Sequence, residues 1–467
     1  MIIYLIIAAI LRLAFIWAAP LWYDEHWTLI LSRLPFERMM AAITGDVHPP
    51  LWYLIEWLFE KIGLMPVWTI RIPALLFSML SVWIFWLILQ RLELPEKLKH
   101  AAMILMVISP FQLYYAQEAR MYSLLTCLVL LAVWSVLAKR WIMLWLAMTA
   151  LLYTQNYAVF YIPSIALAGF ILDRKDWKVI FFASAAAGLC WLPWVPTLLH
   201  QMAIINGGYW IVDMEIGSVL YVVYLFMLGG AIPAGLQLPS MFMVFGWLTY
   251  SVTDAIRHPS RQLLPVAVLA FMPVLLAALA SIIVQPVFIP RPLVGTTPFL
   301  FIMMMWPIER ILATREKALY ASIFILPVML VQVITLYKYT PEHKDQHMPA
   351  TLATIQANWQ EGDIIYHVGD GSWINWYPYS TELPHYKFPD CGPVRGSSSP
   401  ESRLAMGEIV KPLDEIQYER VWLVYLESPL NPPCEKEIFA DQISTPPTIP
   451  LEDDQYIYSG VWLIEGN

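Results

Sequence analysis

Leu21-Trp-Tyr-Asp-Glu-His-Trp27, Gly45-Asp-Val-His-Pro-Pro-Leu-Trp-Tyr-Leu54 and Tyr114-Tyr-Ala-Gln-Glu-Ala-Arg-Met-Tyr-Ser-Leu124 are three polar clusters in a chain that otherwise reads as bilayer-spanning. Each sits at the end of an apolar run. Ionisable groups in such positions are costly in a hydrophobic fold, so they mark a reaction or transport site by default.

The bulk composition agrees. The chain has 467 residues, 59% of them hydrophobic, with a mean hydropathy of +0.58 and only 14% charged residues. Soluble domains carry about 25% charge. The 36 prolines and 22 tryptophans suit a polytopic membrane protein, which tolerates Pro within helices and places Trp at the interface. Residues 341–467 hold 20 of the 36 acids and 7 of the 28 bases, a net of −13, which leaves +5 on residues 1–340. The overall charge of −8 argues against a nucleic-acid partner.

Apolar segments near 2–19, 67–90, 100–113, 121–138, 141–156, 157–172, 179–199, 239–256, 263–285, 293–309 and 318–337 predict eleven spans. The first is read as a retained helix, since it has no basic leader region and no small-residue cleavage site. Residues 218–230 are too few to span comfortably and read as an interfacial or re-entrant helix. Five loops collect basic residues, among them Arg91, Lys139, Arg174, Arg257 and Arg310. Placing these loops in the cytoplasm puts the N-terminus there too. The loop 20–66, the turns 114–120 and 285–292, and the tail then lie outside. Within loop 20–66, Asp24 to Leu34 and Leu51 to Ile62 have the spacing of amphipathic interfacial helices.

The expected fold is therefore a polytopic α-helical membrane unit over 1–340 with a small extracytoplasmic α/β domain over 341–467. In the tail, 349–359 reads as a helix, the runs from Asp363 and Val421 as strands, and 389–400 as a loop. Cys391 and Cys434 form a disulfide candidate if the tail is extracytoplasmic, and both are equally compatible with free thiols. Cys127 and Cys190 lie in apolar runs and read as inert core residues.

The clusters suggest specific chemistry. Asp24 and Glu25 are adjacent carboxylates directly after the first span. One of them suits a general base, although acids also favour the first turn of a helix. Pro49 and Pro50 fix the backbone beside His48, so that His48, with Asp46, suits phosphate binding, metal ligation or proton relay. Arg120 and Arg291 are isolated charges on the outer side, matched to a phosphate or carboxylate. A simple ion pair with Glu118 is the plain alternative for Arg120, and snorkelling to headgroups is the alternative for Arg291. Arg12 and Arg71 are expected to ion-pair or snorkel.

Together, Tyr23-Asp-Glu-His-Trp-Thr-Leu29, Asp46-Val-His-Pro-Pro-Leu-Trp-Tyr53, Arg71-Ile-Pro-Ala-Leu75 and Ser109-Pro-Phe-Gln-Leu-Tyr-Tyr-Ala-Gln-Glu-Ala-Arg-Met-Tyr-Ser-Leu124 resemble the membrane-embedded GT-C glycosyltransferases. The closest branch is the bacterial one related to protein O-mannosyltransferases and lipid A aminoarabinose transferases. The likeness is dense over 20–125 and topological beyond 140. It implies a polyprenyl-phosphate-linked sugar donor and transfer with inversion to an extracytoplasmic acceptor, which is a glycan, lipid or protein. It implies Asp24 as base with Glu25 in support. It places His48, Tyr115, Gln117, Glu118, Arg120, Tyr122 and Arg291 on the donor side. Some relatives bind a divalent metal where His48 and Asp46 fall, but they carry a carboxylate at the position of His48. Pro292 follows Arg291 where relatives commonly have Tyr. The expected location is a bacterial plasma membrane, and the lack of any Asn-X-Ser/Thr sequon fits that setting. Two rivals are an oligosaccharide ligase and a non-enzymatic flippase or transporter. The second fits less well, since transporters keep ionisable groups near the midplane and often show inverted repeats.

Overall fold

A computed structural model describes residues 1–14, 16, 21–63, 69–206, 211, 213–230, 232–314, 348–369, 372–389, 399–427, 438–451 and 458–465. The last expected span, 318–337, and the cysteines Cys391 and Cys434 lie outside these residues.

The first half is helical: α1 (Ile2–Leu13), α2 (Tyr23–Arg33), α3 (Phe36–Thr44), α4 (Leu51–Lys61), α5 (Ile72–Arg91), α6 (Glu96–Ile108), α7 (Pro110–Ala116) and α8 (Tyr122–Leu137). Further helices follow to Ile308–Ile311. Among the described residues, three stretches are long and apolar enough to cross a membrane: Ile72–Arg91, Arg174–Ile204 and Leu263–Ile283. A 20-residue helix rises about 30 Å, the thickness of a bilayer core. Large apolar side chains such as Ile2, Ile6, Phe181, Phe182, Ile282 and Ile283 face outward. Lipid accommodates so many large apolar side chains on the exterior, whereas water does not.

Helices appear at Tyr23–Arg33 and Leu51–Lys61, where the periodicity puts them, but the first is buried over most of its length. The single apolar run expected over 100–113 is instead two helices. Pro110 has no N–H and disfavours helix at Ser109, so α6 stops at Ile108. The Ser109 hydroxyl then accepts from the Gln112 N–H and starts α7. Residues 293–309 are similarly broken, into a tight 3₁₀ stretch Arg291–Thr296 and a helix Thr297–Met304. Cys127 is buried, but Cys190 is exposed on its helix and is not a core residue.

Arg12 differs from expectation: it makes no ion pair among the described residues and is not snorkelled. It is buried and donates to the Ser78 hydroxyl and to the carbonyls of Val107 and Met106. Those carbonyls close the C-terminal end of α6, where a cation is favoured.

Among the described residues, the C-terminal unit holds a five-stranded mixed sheet of order β2-β1-β3-β5-β4, with β1 Asp363–Val368, β2 His385–Lys387, β3 Arg420–Glu427, β4 Ile449–Pro450 and β5 Tyr458–Glu465. β1 pairs in parallel with β2 and β3, and β5 runs antiparallel to β3 and β4. Alternate residues serve two cores. Ile365, Trp422 and Val424 pack with Leu352, Ile355 and Trp376 on one face. Ile364, Tyr366, Leu423 and Tyr425 pack with Phe439 and Ile443 on the other. This is the period-2 pattern of a strand covered on both sides.

The unit docks on α2 and α3. Ser399 N–H donates to the Gly45 carbonyl at 3.0 Å, Ser402 Oγ to the Ala42 carbonyl at 2.6 Å, and Arg38 Nε to the Ala405 carbonyl at 3.0 Å. A Cβ on Gly45 would lie 2.5 Å from Ser399 Oγ and 2.9 Å from Ser402 Cβ, so a larger residue there would push the two segments apart.

Candidate active site

Asp24 lies in the first turn of α2, with its side chain 22% exposed. Its Oδ2 accepts from Arg291 Nη1 at 2.9 Å and lies 3.9 Å from Arg120 Nε. The Arg291 guanidinium stacks over Trp22 at 4.9 Å from the ring centroid. Two cations from distant parts of the chain therefore meet one partly exposed carboxylate, a pairing that the sequence reading did not foresee. Arg120 pairs with Asp24 rather than with Glu118.

Arg120 is buried and held by its neighbours. Its Nη1 donates to the Tyr53 hydroxyl at 3.1 Å, and its Nη2 to His48 Nε2 at 3.2 Å. A guanidinium only donates, so His48 Nε2 is the acceptor and Nδ1–H donates to Asp46 Oδ2 at 3.0 Å. Tyr53 O–H donates to the same Asp46 oxygen at 3.2 Å. Asp46, His48 and Tyr53 thus form a scaffold for Arg120.

Glu25 sits one residue from Asp24 and has a different environment. It is fully buried, and both its oxygens take Arg71, Oε1 from Nε and Oε2 from Nη2, each at 2.7 Å. Oε1 also accepts the Ala119 N–H at 2.9 Å. Glu25 therefore ties α2 to α5 and to the turn that carries Arg120. Arg71 makes the ion pair expected of it. Glu118 is also buried, within electrostatic reach of Arg71 and Arg291.

The remaining predicted residues separate. Tyr115 and Tyr122 contact each other with centroids 4.7 Å apart, and both phenols lie within electrostatic reach of Arg291. Gln117 is directed elsewhere, its amide donating to the Arg12 carbonyl at 2.8 Å and the Leu11 carbonyl at 3.4 Å at the end of α1.

Two solved structures share this architecture over nearly their whole length. The first is ArnT from Cupriavidus metallidurans in the apo state, with a TM-score of 0.59 and 14% identity, over 99% of this chain and 97% of that one. The second is ArnT from the same organism bound to undecaprenyl phosphate, with a TM-score of 0.57 and 13% identity, over 99% and 97%. The chain has the ArnT fold. It is the GT-C architecture that the sequence resemblance implied. No family model matches the chain, and no curated protein matches it.

Within this ArnT-like fold, sequence reasoning overlooked several residues. Tyr53 belongs to the quoted His48 motif and was the most accessible of them. Asn156 donates to the Val47 carbonyl at 3.0 Å, and Gln201 to the Ile43 and His48 carbonyls at 3.0 and 3.4 Å. These two amides fix the His48 loop from a turn and a helix far along the chain, and no local pattern announces them. His26 is the third case. Its Nδ1–H donates to Asn375 Oδ1 at 3.1 Å, and its Nε2 accepts the Tyr379 hydroxyl at 2.9 Å. Burial lowers the His26 pKa to about 4, against smaller opposing effects from Asn375 and Glu25. The C-terminal unit thus touches the helix that carries Asp24.

The donor set around His48 does not fit a divalent cation. Among the described residues, no three His, Cys, Asp or Glu side chains converge. The accepting nitrogen of His48 is already occupied by the Arg120 guanidinium. A metal there would displace a cation that Tyr53 also holds.

Proposed function

We propose that the protein is a bacterial plasma-membrane glycosyltransferase that moves a sugar from a polyprenyl-phosphate carrier to an extracytoplasmic acceptor with inversion. The observation that carries this reading is the convergence of Arg120 and Arg291 on Asp24 at 3.9 and 2.9 Å. Paired guanidiniums match a phosphate, and the carboxylate between them supplies a base. The ArnT fold supports the reading, because one ArnT neighbour is bound to undecaprenyl phosphate.

In this mechanism the donor phosphate enters from the bilayer and takes Arg291 and Arg120 from Asp24. The acceptor's hydroxyl or amine attacks the anomeric carbon and forms the new glycosidic bond. The bond from that carbon to the phosphate oxygen breaks, and its electron pair leaves with the polyprenyl phosphate. The two arginines stabilise the charge growing on that oxygen. Asp24 accepts the proton of the nucleophile. Glu25 and Arg71 hold the helix that presents Asp24. The proposed topology has eleven spans with a cytoplasmic N-terminus, residues 1–340 as the catalytic unit and 341–467 as an extracytoplasmic domain.

The test is transfer from a panel of polyprenyl-phosphate hexoses and pentoses in liposomes, comparing wild type with Asp24→Asn. Turnover of one donor, lost in the variant while donor binding persists, supports the reading. Turnover that survives the substitution removes Asp24 as base.

A further inference from the structure

The C-terminal unit contains a second cleft, of about 430 Å³, between the end of the helix Met348–Ala357 and the β3–β5–β4 side of the sheet. That volume lies within the range of small-molecule sites. Trp359, Trp422, Arg420, Asn358, Gln360 and Thr448 are among its lining residues. Trp422 is buried, and Trp359 is half-buried against the same apolar cluster.

The polar wall is fixed in advance. Asp363, 2% exposed, accepts from Arg420 Nε at 2.8 Å and Nη2 at 2.6 Å, from Trp422 Nε1 at 3.0 Å and from the Gln360 N–H at 3.0 Å. Arg420 Nη2 also donates to the Asn358 carbonyl at 2.9 Å. A carboxylate with four donors locks both the guanidinium plane and one indole, so little ordering remains for a ligand to impose. The Gln360 side-chain amide and Arg420 Nη1 make no hydrogen bond among the described residues, and both remain to serve a ligand.

This combination selects a chemical class. The half-buried indole of Trp359 offers a flat apolar surface to the C–H face of a ring, with the buried Trp422 as its backing. Planar amide and guanidinium groups at the rim match vicinal hydroxyls, each of which both donates and accepts. The cleft carries no excess positive charge for an anion, because Arg420 is paired with Asp363 and lies near Glu419 and Glu465. A phosphate is therefore disfavoured and a neutral polyol ring is favoured.

We propose that this cleft binds a neutral pyranose unit of the acceptor glycan, a proposal that rests on the transferase reading for the word acceptor but not for the binding itself. The test uses the full chain in lipid nanodiscs with methyl glycosides of glucose, galactose and N-acetylglucosamine, read by saturation-transfer NMR. The expected result is saturable binding of at least one glycoside at roughly millimolar concentration. Affinity falls by about 10-fold or more in Trp359→Ala, which removes a stacking face. It also falls in Gln360→Ala, an exposed change that leaves the core intact. Absence of saturable binding to every glycoside, or binding undiminished in both variants, overturns the proposal. Polyprenyl phosphate binding by the same preparations reads the catalytic site separately, and it should be unchanged in both variants. Loss of that binding in wild type, with glycoside binding intact, would overturn the donor assignment while the cleft stands.

Discussion

Arg291 Nη1 donates to Asp24 Oδ2 at 2.9 Å although the two residues are 267 positions apart. On the proposed mechanism, the carboxylate and a donor phosphate compete for one guanidinium. Removing Arg291 takes away a charge-assisted hydrogen bond of about 1.5–3 kcal/mol. Arg291→Ala should weaken polyprenyl phosphate binding by about 10- to 100-fold, and Arg291→Lys should recover part of it. Asp24→Asn should bind the same lipid at least as tightly as wild type, since the competitor loses its charge. Lipid binding measured by intrinsic fluorescence distinguishes these cases. Equal affinity in Arg291→Ala would remove the arginine from the phosphate site.

Glu25 should behave differently from its neighbour. Its carboxylate is fully buried and bound to Arg71 by two 2.7 Å hydrogen bonds. Truncating one member of such a pair leaves an uncompensated buried charge, at a cost of about 3–5 kcal/mol. Glu25→Ala should lower the thermal unfolding temperature in detergent clearly, whereas Asp24→Asn should leave it near wild type. Similar unfolding temperatures for Glu25→Ala and wild type would show that Arg71 finds another partner.

The contact between α2 and the C-terminal unit should weaken in acid. Burial brings His26 to about 4, and His385 in the sheet to about 4 as well. The free side chain titrates near 6.5, so the unfolded state binds more protons between pH 6.5 and 4. Stability from these groups is present above pH 6.5 and is lost as pH falls through that window. His26 is also within electrostatic reach of Glu25 and Arg71, which oppose one another. Tyr379→Phe removes the donor to the buried His26 Nε2 and should cost about 1–3 kcal/mol. Limited proteolysis between pH 7.5 and 5 reads the effect. A flat profile would show that the interface does not depend on the neutral imidazole.

Local features were legible in the chain, and long-range pairings less so. The helices at Tyr23–Arg33 and Leu51–Lys61 were placed within one residue, because apolar spacing and Pro49-Pro50 encode them directly. The strands Asp363–Val368 and Arg420–Glu427 were visible as β-rich runs. Asp24, Arg120 and Arg291 stood out because a lone charge in an apolar chain needs a partner. Which partner it finds depends on tertiary packing. Arg12 illustrates the limit, since its two carbonyl acceptors are free only because Ser109-Pro110 ends α6 early. Asn375 and Tyr379 were equally hidden, lying 349 and 353 residues from His26.

The His48 cluster yields the last prediction. Arg120 Nη2 lies 3.2 Å from His48 Nε2, and Asp46 fixes the opposite ring nitrogen at 3.0 Å. If this triad positions a guanidinium, transfer should be insensitive to EDTA and gain nothing from added Mg²⁺ or Mn²⁺. His48→Ala should then weaken donor binding through a loosened Arg120, by about 10-fold, the effect of one hydrogen bond to a charged group. His48→Asn, whose side-chain oxygen accepts a hydrogen bond, should restore part of the affinity. A metal ligand would behave otherwise: chelation would abolish transfer, and added metal would rescue it. Steady-state transfer with and without chelator, across His48→Ala, His48→Asn and wild type, separates the two roles.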